Sequence, residues 1–200
     1  MTTVLLSTTY FGPIQWYQKL YRADSVVIDN REQYQKQSFR NRCEIAAANG
    51  RQTLTMPVEH AAESKAIGNM LISNHGRWQH QHWQSLQSAY GDSPFFFYYA
   101  DDLLPFFKQP TGSLFDFNMN IVKTICQLLD ISPNISTTPP DGNDDIIDLR
   151  NAIHPKHPAA DNDFVSRRYY QVFQERYGFL PNLSILDLLF CCGPESVLYL

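Results

Sequence analysis

The stretch TVLLSTTYFGPIQWYQKLYRADSVVI, Thr3 to Ile28, decides the fold. It opens and closes on short apolar, β-branched runs, TVLLS (Thr3–Ser7) and SVVI (Ser25–Ile28), which read as strands. Between them PIQWYQKLYRA begins with Pro13, whose fixed φ and missing N–H suit the first helical position. A strand, loop, helix and strand of this length make the two strands parallel, with a right-handed crossover. Parallel strands send their following loops to one carboxyl edge of the sheet, where open α/β folds bind ligands. TTYFGP (Thr8–Pro13) and DNREQYQKQSFRNR (Asp29–Arg42) both emerge at that edge.

Farther along, QTLTMPV (Gln52–Val58) alternates and reads as a strand stopped near its end by Pro57. AIGNMLIS (Ala66–Ser73) is a further strand candidate. GRWQHQHWQSLQSAYG (Gly76–Gly91) spaces Trp78, His82, Leu86 and Tyr90 one turn apart, predicting a helix with a glycine stop. FFFYYADDLLPFF (Phe95–Phe107) is long enough for a buried helix cut by Pro105. In SLFDFNMNIVKTICQLLDI (Ser113–Ile131), Leu114, Phe117, Ile121, Ile125 and Leu128 recur at helical steps. SPNISTTPPDGNDD (Ser132–Asp145) and NAIHPKHPAADND (Asn151–Asp163) read as loops. The last stretch, FLPNLSILDLLFCCGPESVLYL (Phe179–Leu200), offers Ser184 as N-cap of an apolar helix broken at Gly193-Pro194. The expectation is one α/β domain over residues 1–200: a mostly parallel or mixed sheet in the N-terminal half, helices packed on it, and a helical C-terminal half.

Composition narrows the function classes. The chain has 200 residues, of which 44% are hydrophobic and 18% charged, so a core can form and disorder is excluded as the main state. A net charge of -4 gives no field that gathers nucleic acid, and any anion site must come from a local cluster. MTTVLLSTTYFG lacks the basic start of a signal peptide. The densest apolar run, PFFFYYA, is far below the roughly 20 residues of a membrane-spanning helix. A cytoplasmic protein without a membrane span is expected. Cys43, Cys126, Cys191 and Cys192 show no C-x-x-C pairing and read as reduced, buried thiols; no cofactor or metal is expected.

The local cluster is YQKQSFRNRC, Tyr34 to Cys43, with three positive charges and no negative one. Two readings compete: a solvated basic face paired with Glu32 or Glu44, or a clamp whose planar guanidinium forks grip phosphate or carboxylate. TTYFGPIQ has one glycine, so it is neither a P-loop nor a dinucleotide fingerprint. Nucleotidylyl-transferring α/β enzymes carry two histidines just before this helix, and none stands here. A helix sends His80 and His82 to different faces, which leaves no chelating pair there, but one of the group with His75 has the chemistry of a general acid or base. His154 and His157, in HPKHP, sit on a proline-stiffened loop. Asp101-Asp102 and Asp144-Asp145 favour helix starts over a cation site. The expected site is the carboxyl edge. Tyr10, Gln15, Gln33, Lys36, Arg40, Asn41 and Arg42 would bind an anionic small molecule, and Arg40 and Arg42 would grip its phosphate or carboxylate. Asp29 and His75 would transfer protons, and Tyr10, Phe11 and Trp16 would form an apolar wall.

The chain also resembles the WbqC-like family nearly end to end. The likeness rests on YFGPIQWYQKL, ADSVVIDN, EQYQKQSFRNRCEIAAANG, LTMPV, HWQSLQSAYGDSPFFFYYADD, LFDFN and FLPNLSILDLLFCCGPE. The resemblance implies a bacterial surface-polysaccharide context and a modifier of sugar nucleotides or amino sugars, a transferase of acyl or aminoacyl groups. A related branch tends to lack a cysteine at position 43, which argues against Cys43 as a nucleophile. No triad, metal set or cofactor loop is legible, so a non-enzymatic interaction protein with the apolar tail SILDLLFCCGPESVLYL as its partner surface remains the alternative.

Overall fold

A computed structural model describes residues 2–60, 65–108, 112–138 and 146–200. Strand β1 (Thr3–Leu6), helix α1 (Ile14–Arg22) and strand β2 (Ser25–Ile28) form the expected unit, and β1 pairs β2 in parallel from Thr3↔Ser25 to Leu6↔Ile28. Pro13 stands one residue ahead of α1, as its N-cap. Val4 to Leu6 and Val26 to Ile28 are buried, as strands covered on both faces must be.

The next two elements form a ribbon outside this sheet. β3 (Arg42–Ala47) and β4 (Gly50–Thr55) pair antiparallel, and β5 (Val58–His60) pairs β6 (Met70–Ile72) in the same sense. The QTLTMPV run is thus split between β4 and the start of β5, and AIGNMLIS is a 3-10 turn (Ile67–Asn69) leading into β6.

The helices fall where the apolar spacing put them. α2 (Trp78–Tyr90) buries Trp78, His82, Leu86 and Tyr90. Its stop at Gly91 is steric: φ there is an ordinary -54°, but a Cβ would lie 2.6 Å from the Gln87 carbonyl oxygen. α3 (Phe96–Leu103) gives way to a 3-10 turn at Pro105. α4 (Leu114–Leu128) is capped by the Ser113 hydroxyl, which accepts from Asp116 N–H. A short α5 (Gln174–Tyr177) precedes α6 (Ile185–Cys192), whose cap is Ser184. Gly193 ends α6 with φ +57° where a Cβ would strike the Phe95 ring, so no other residue fits.

α6 is the hub. Ile185, Leu186, Leu188, Leu189 and Phe190 are all 0% exposed, and the helix packs on α1, α3 and β3. Its one acid, Asp187, is buried but fully engaged, accepting from Tyr90 Oη at 2.7 Å, Tyr169 Oη at 2.6 Å and Gln171 Nε2 at 3.0 Å.

Two strands lie where the sequence reads loop. β7 (Ile135–Ser136) and β8 (Ile146–Asp148) add parallel edges to the first sheet, whose order is β7-β2-β1-β8. Two or three residues are too short a run to show alternation, and these sit among Pro, Asn and Asp. The Asp144-Asp145 pair lies outside the described residues. No helix among the described residues is long and apolar enough to cross a membrane.

Candidate functional site

Strand order places the crevice. The chain runs from β1 outward to β2 and β7, then returns to β8 on the other side of β1. This reversal is a topological switch point, and open α/β sheets bind ligands outside the carboxyl ends of the strands that flank it. Thr8 and Thr9 follow β1 there. Both are buried, and both hydroxyl oxygens lack a hydrogen-bond partner among the described residues.

The usual anion seat of such folds is already filled. The first free N–H groups of α1 would point at a phosphate, but Ile14 N–H donates to the Leu183 carbonyl at 2.9 Å and Gln15 N–H to Asn182 Oδ1 at 2.9 Å. The Gln15 side chain is held as well, by Asp161 at 2.8 Å and Asn182 at 3.0 Å. Any anion site must therefore come from side chains farther along the edge.

Three carboxylates and three guanidiniums alternate there. Asp29 accepts from the backbone and side chain of Arg31, and Asp148 takes a forked contact from Arg150, closing to 2.6 Å. Glu32 and Arg40 are only 4% and 2% exposed and pair in bidentate fashion at 3.0 and 2.7 Å. Burial pushes the Glu32 carboxyl up, while the Arg40 hydrogen bond, Arg40 and Arg150 charges and the Thr8 backbone pull it down. Arg40 is a structural cation in this arrangement.

Arg42 differs. It opens β3, is half-buried, and its Nε has no partner among the described residues. Beside it the Asn41 amide donates to the Met56 carbonyl at 2.7 Å, leaving Asn41 Oδ1 unpartnered among the described residues. Both residues line a cavity of about 420 Å³ shared with Tyr34, Lys36, Gln37 and Thr55. Lys36 and Arg42 bring two positive charges, and no carboxylate among the described residues lines the cavity. Burial raises the Tyr34 phenol, against the opposing pull of Arg42 and Arg40, so it stays protonated and can donate. A smaller cavity of about 140 Å³ lies against Glu44, on the same face of β3 as Arg42, and is lined also by Gln15, Arg51, Asn182 and His154.

The backbone around these cavities is unusual. Phe11, Gln37 and Asn182 hold positive φ values of 44°, 60° and 53°, a region that non-glycine residues rarely occupy. Gln37 and Asn182 line the larger and smaller cavity respectively. A larger concavity, about 570 Å³, lies elsewhere, between the β3–β4 turn and α2. Its one charged residue, Arg51, is already committed to Glu44 at 2.6 Å and the Pro181 carbonyl at 2.8 Å. It offers an anion no free cation.

The expected site residues therefore separate. Lys36, Asn41 and Arg42 converge on the larger cavity. Gln15 lines the smaller cavity but is bound to Asp161 and Asn182. Gln33 is exposed and bridges Ala66 through its backbone. Tyr10 is 0% exposed and its hydroxyl bonds His82 Nδ1 at 2.9 Å, so it belongs to the core, as do Phe11 and Trp16. Asp29 and His75 line neither cavity and share no hydrogen bond; Asp29 is engaged by Arg31, and His75 is exposed on the loop after β6. Cys43 is 1% exposed, with a thiol that burial pushes far up, which is the opposite of an activated nucleophile. Of the residues that the expected site left out, Thr8 and Thr9 follow β1, and Asp148 and Arg150 owe their place to β8.

The WbqC-like protein family model matches residues 8–157, three-quarters of the chain, and the protein belongs to that family. It is similar to Rv1507c, an uncharacterized protein of Mycobacterium tuberculosis, with 28% identity over 206 residues, covering 88% of this chain and 87% of that protein. No solved structure gives a significant match.

Proposed function

We propose that the cavity lined by Tyr34, Lys36, Asn41 and Arg42 binds the phosphate or carboxylate of an anionic small molecule. On this reading the molecule is a sugar nucleotide or amino-sugar precursor of bacterial surface polysaccharide. The protein acts on it as a transferase of acyl or aminoacyl groups. One observation carries the binding step: Arg42 and Asn41 line a cavity that holds two cations and, among the described residues, no acid, and Arg42 Nε and Asn41 Oδ1 are buried beside it without partners among those residues. A buried polar atom left unpaired costs about 1–3 kcal/mol, and a ligand at this position relieves that cost. The surface-polysaccharide context comes from the family resemblance, which supports the choice of substrate class.

The rival reading, an interaction protein docking through its apolar tail, is weakened because Leu186 to Phe190 are all 0% exposed.

The test is a thermal-shift screen against sugar nucleotides, thioester analogues and simple phosphates, with Arg42→Ala in parallel. Wild type is expected to gain several degrees with one phosphate-bearing class. Arg42→Ala is expected to keep its own melting temperature and to bind about thirtyfold more weakly, the equivalent of about 2 kcal/mol for one charge-assisted pair. Equal shifts in both proteins place the ligand elsewhere.

A further inference from the structure

The segment that follows β8 returns across the carboxyl edge and is tied down at both ends. Lys156 Nζ donates to Gln37 Oε1 at 2.6 Å, and Gln37 is on the wall of the larger cavity. Asp161 takes Lys19 at 2.8 Å and Gln15 at 2.8 Å. Between these ties the Ala159 N–H closes the loop on the Ala152 carbonyl at 2.9 Å. His154 is held inside this loop and borders the smaller cavity.

The ring has a fixed orientation and a fixed set of roles. Nδ1 accepts from two backbone N–H groups, Lys156 at 3.1 Å and His157 at 3.2 Å. A nitrogen that accepts twice carries no proton, so the neutral ring must carry its proton on Nε2. Nε2 has no hydrogen-bond partner among the described residues. The ring also stacks on His157 at 5.7 Å and 22°.

We propose that His154 is a ligand-binding residue, fixed as an Nε2–H donor, that donates to the anion held by Lys36 and Arg42. The inference rests on the anion-binding reading above and adds a neutral donor to its two cations. The charged and titratable groups around the ring favour the uncharged form. Burial lowers the His154 imidazole first, and His157, Arg40, Arg42 and Lys156 lower it further. Across the smaller cavity Glu44 and Arg51 form an ion pair at 2.6 Å, so neither adds a free charge there. A neutral donor suits this position because it bonds an anion without adding a third cation to a strongly positive rim.

Two measurements separate this inference from the reading it rests on. Long-range proton–nitrogen spectra of the ligand-free protein at neutral pH should show His154 with a bare Nδ1 and a protonated Nε2. The Nδ1–H tautomer or the imidazolium would overturn the proposal whatever binds. The second measurement titrates UDP-N-acetylglucosamine and inorganic pyrophosphate into wild type, Arg42→Ala, His154→Asn and His154→Gln. Asparagine can accept from the N–H groups two and three residues on, preserving the turn while removing the Nε2–H reach. His154→Asn should weaken binding about tenfold without loss of melting temperature, and His154→Gln, whose amide reaches near Nε2, should recover part of it. If Arg42→Ala loses the probe and His154→Asn does not, the His154 role falls and the anion site survives. If neither probe binds wild type, both fall together.

Discussion

Arg40→Ala is expected to destabilise the protein by about 3–5 kcal/mol, because it strips Glu32 of a bidentate partner and leaves a carboxylate buried at 4% exposure. The backbone hydrogen bonds of residue 40 survive the substitution, so the loss is that of the ion pair. The Arg40 carbonyl accepts from Asn118 Nδ2 at 2.8 Å and its N–H donates to the Ser38 hydroxyl oxygen at 3.4 Å, so the backbone here is part of the core against α4. Replacing both partners together, Arg40→Met with Glu32→Leu, should be far milder, since no uncompensated charge remains. Urea unfolding of the single and double variants checks this. A single variant with an unchanged midpoint would mean that Glu32 and Arg40 do not form the buried pair, and Arg40 would return to the ligand-binding set.

The second large effect is a loss of stability in mild acid traced to His82. Burial lowers its imidazole from the usual 6.5 to about 4, with a Thr55 backbone hydrogen bond opposing. Below pH 6.5 the unfolded chain takes up a proton that the folded protein refuses until about pH 4, so the unfolded state binds more protons throughout that window. Stability from this group is therefore complete above pH 6.5 and falls as the pH drops to about 4, by about 3 kcal/mol in all. Glu32 and Asp187, both raised by burial, act in the opposite direction at the acid end of the same range. The His82 share is isolated by comparing wild type with His82→Gln: the slope between pH 6.5 and 5 should be present in the first and flattened in the second. Equal slopes would place the acid sensitivity elsewhere.

The unit that sets the fold was legible because Thr3 to Ile28 contains its own logic, two β-branched runs joined by a helix with proline at its start. The long helices were legible for the same reason: one apolar residue per turn survives any tertiary context. β7 and β8 were not. Each is a few residues long and gains its strand character only from pairing with β2 and β1, contacts more than a hundred residues away in sequence. Missing β8 moved the expected site toward β2, when the switch point lies between β1 and β8.

Within the basic segment, charge was visible but its use was not. Arg40 and Arg42 look equivalent in sequence, yet one turns inward to Glu32 and the other opens β3 beside a cavity. Arg40 pairs with Glu32 as the first reading expects, buried and not solvated, and the clamp reading is left to rest on Arg42. The same holds for the histidines: His82 is a core partner of Tyr10, while His154 acquires its fixed ring from a turn that no spacing rule describes.

The measurement closest to the central claim is backbone amide chemical-shift mapping with UDP-N-acetylglucosamine. Perturbations are expected to cluster on Tyr34, Lys36, Gln37, Asn41, Arg42 and Thr55, the wall of the basic cavity, and to extend to His154 at the border of the smaller one. Perturbations confined to the groove between Ala47–Gln52 and Gln81–Ala89, or none at saturating ligand, would contradict the account.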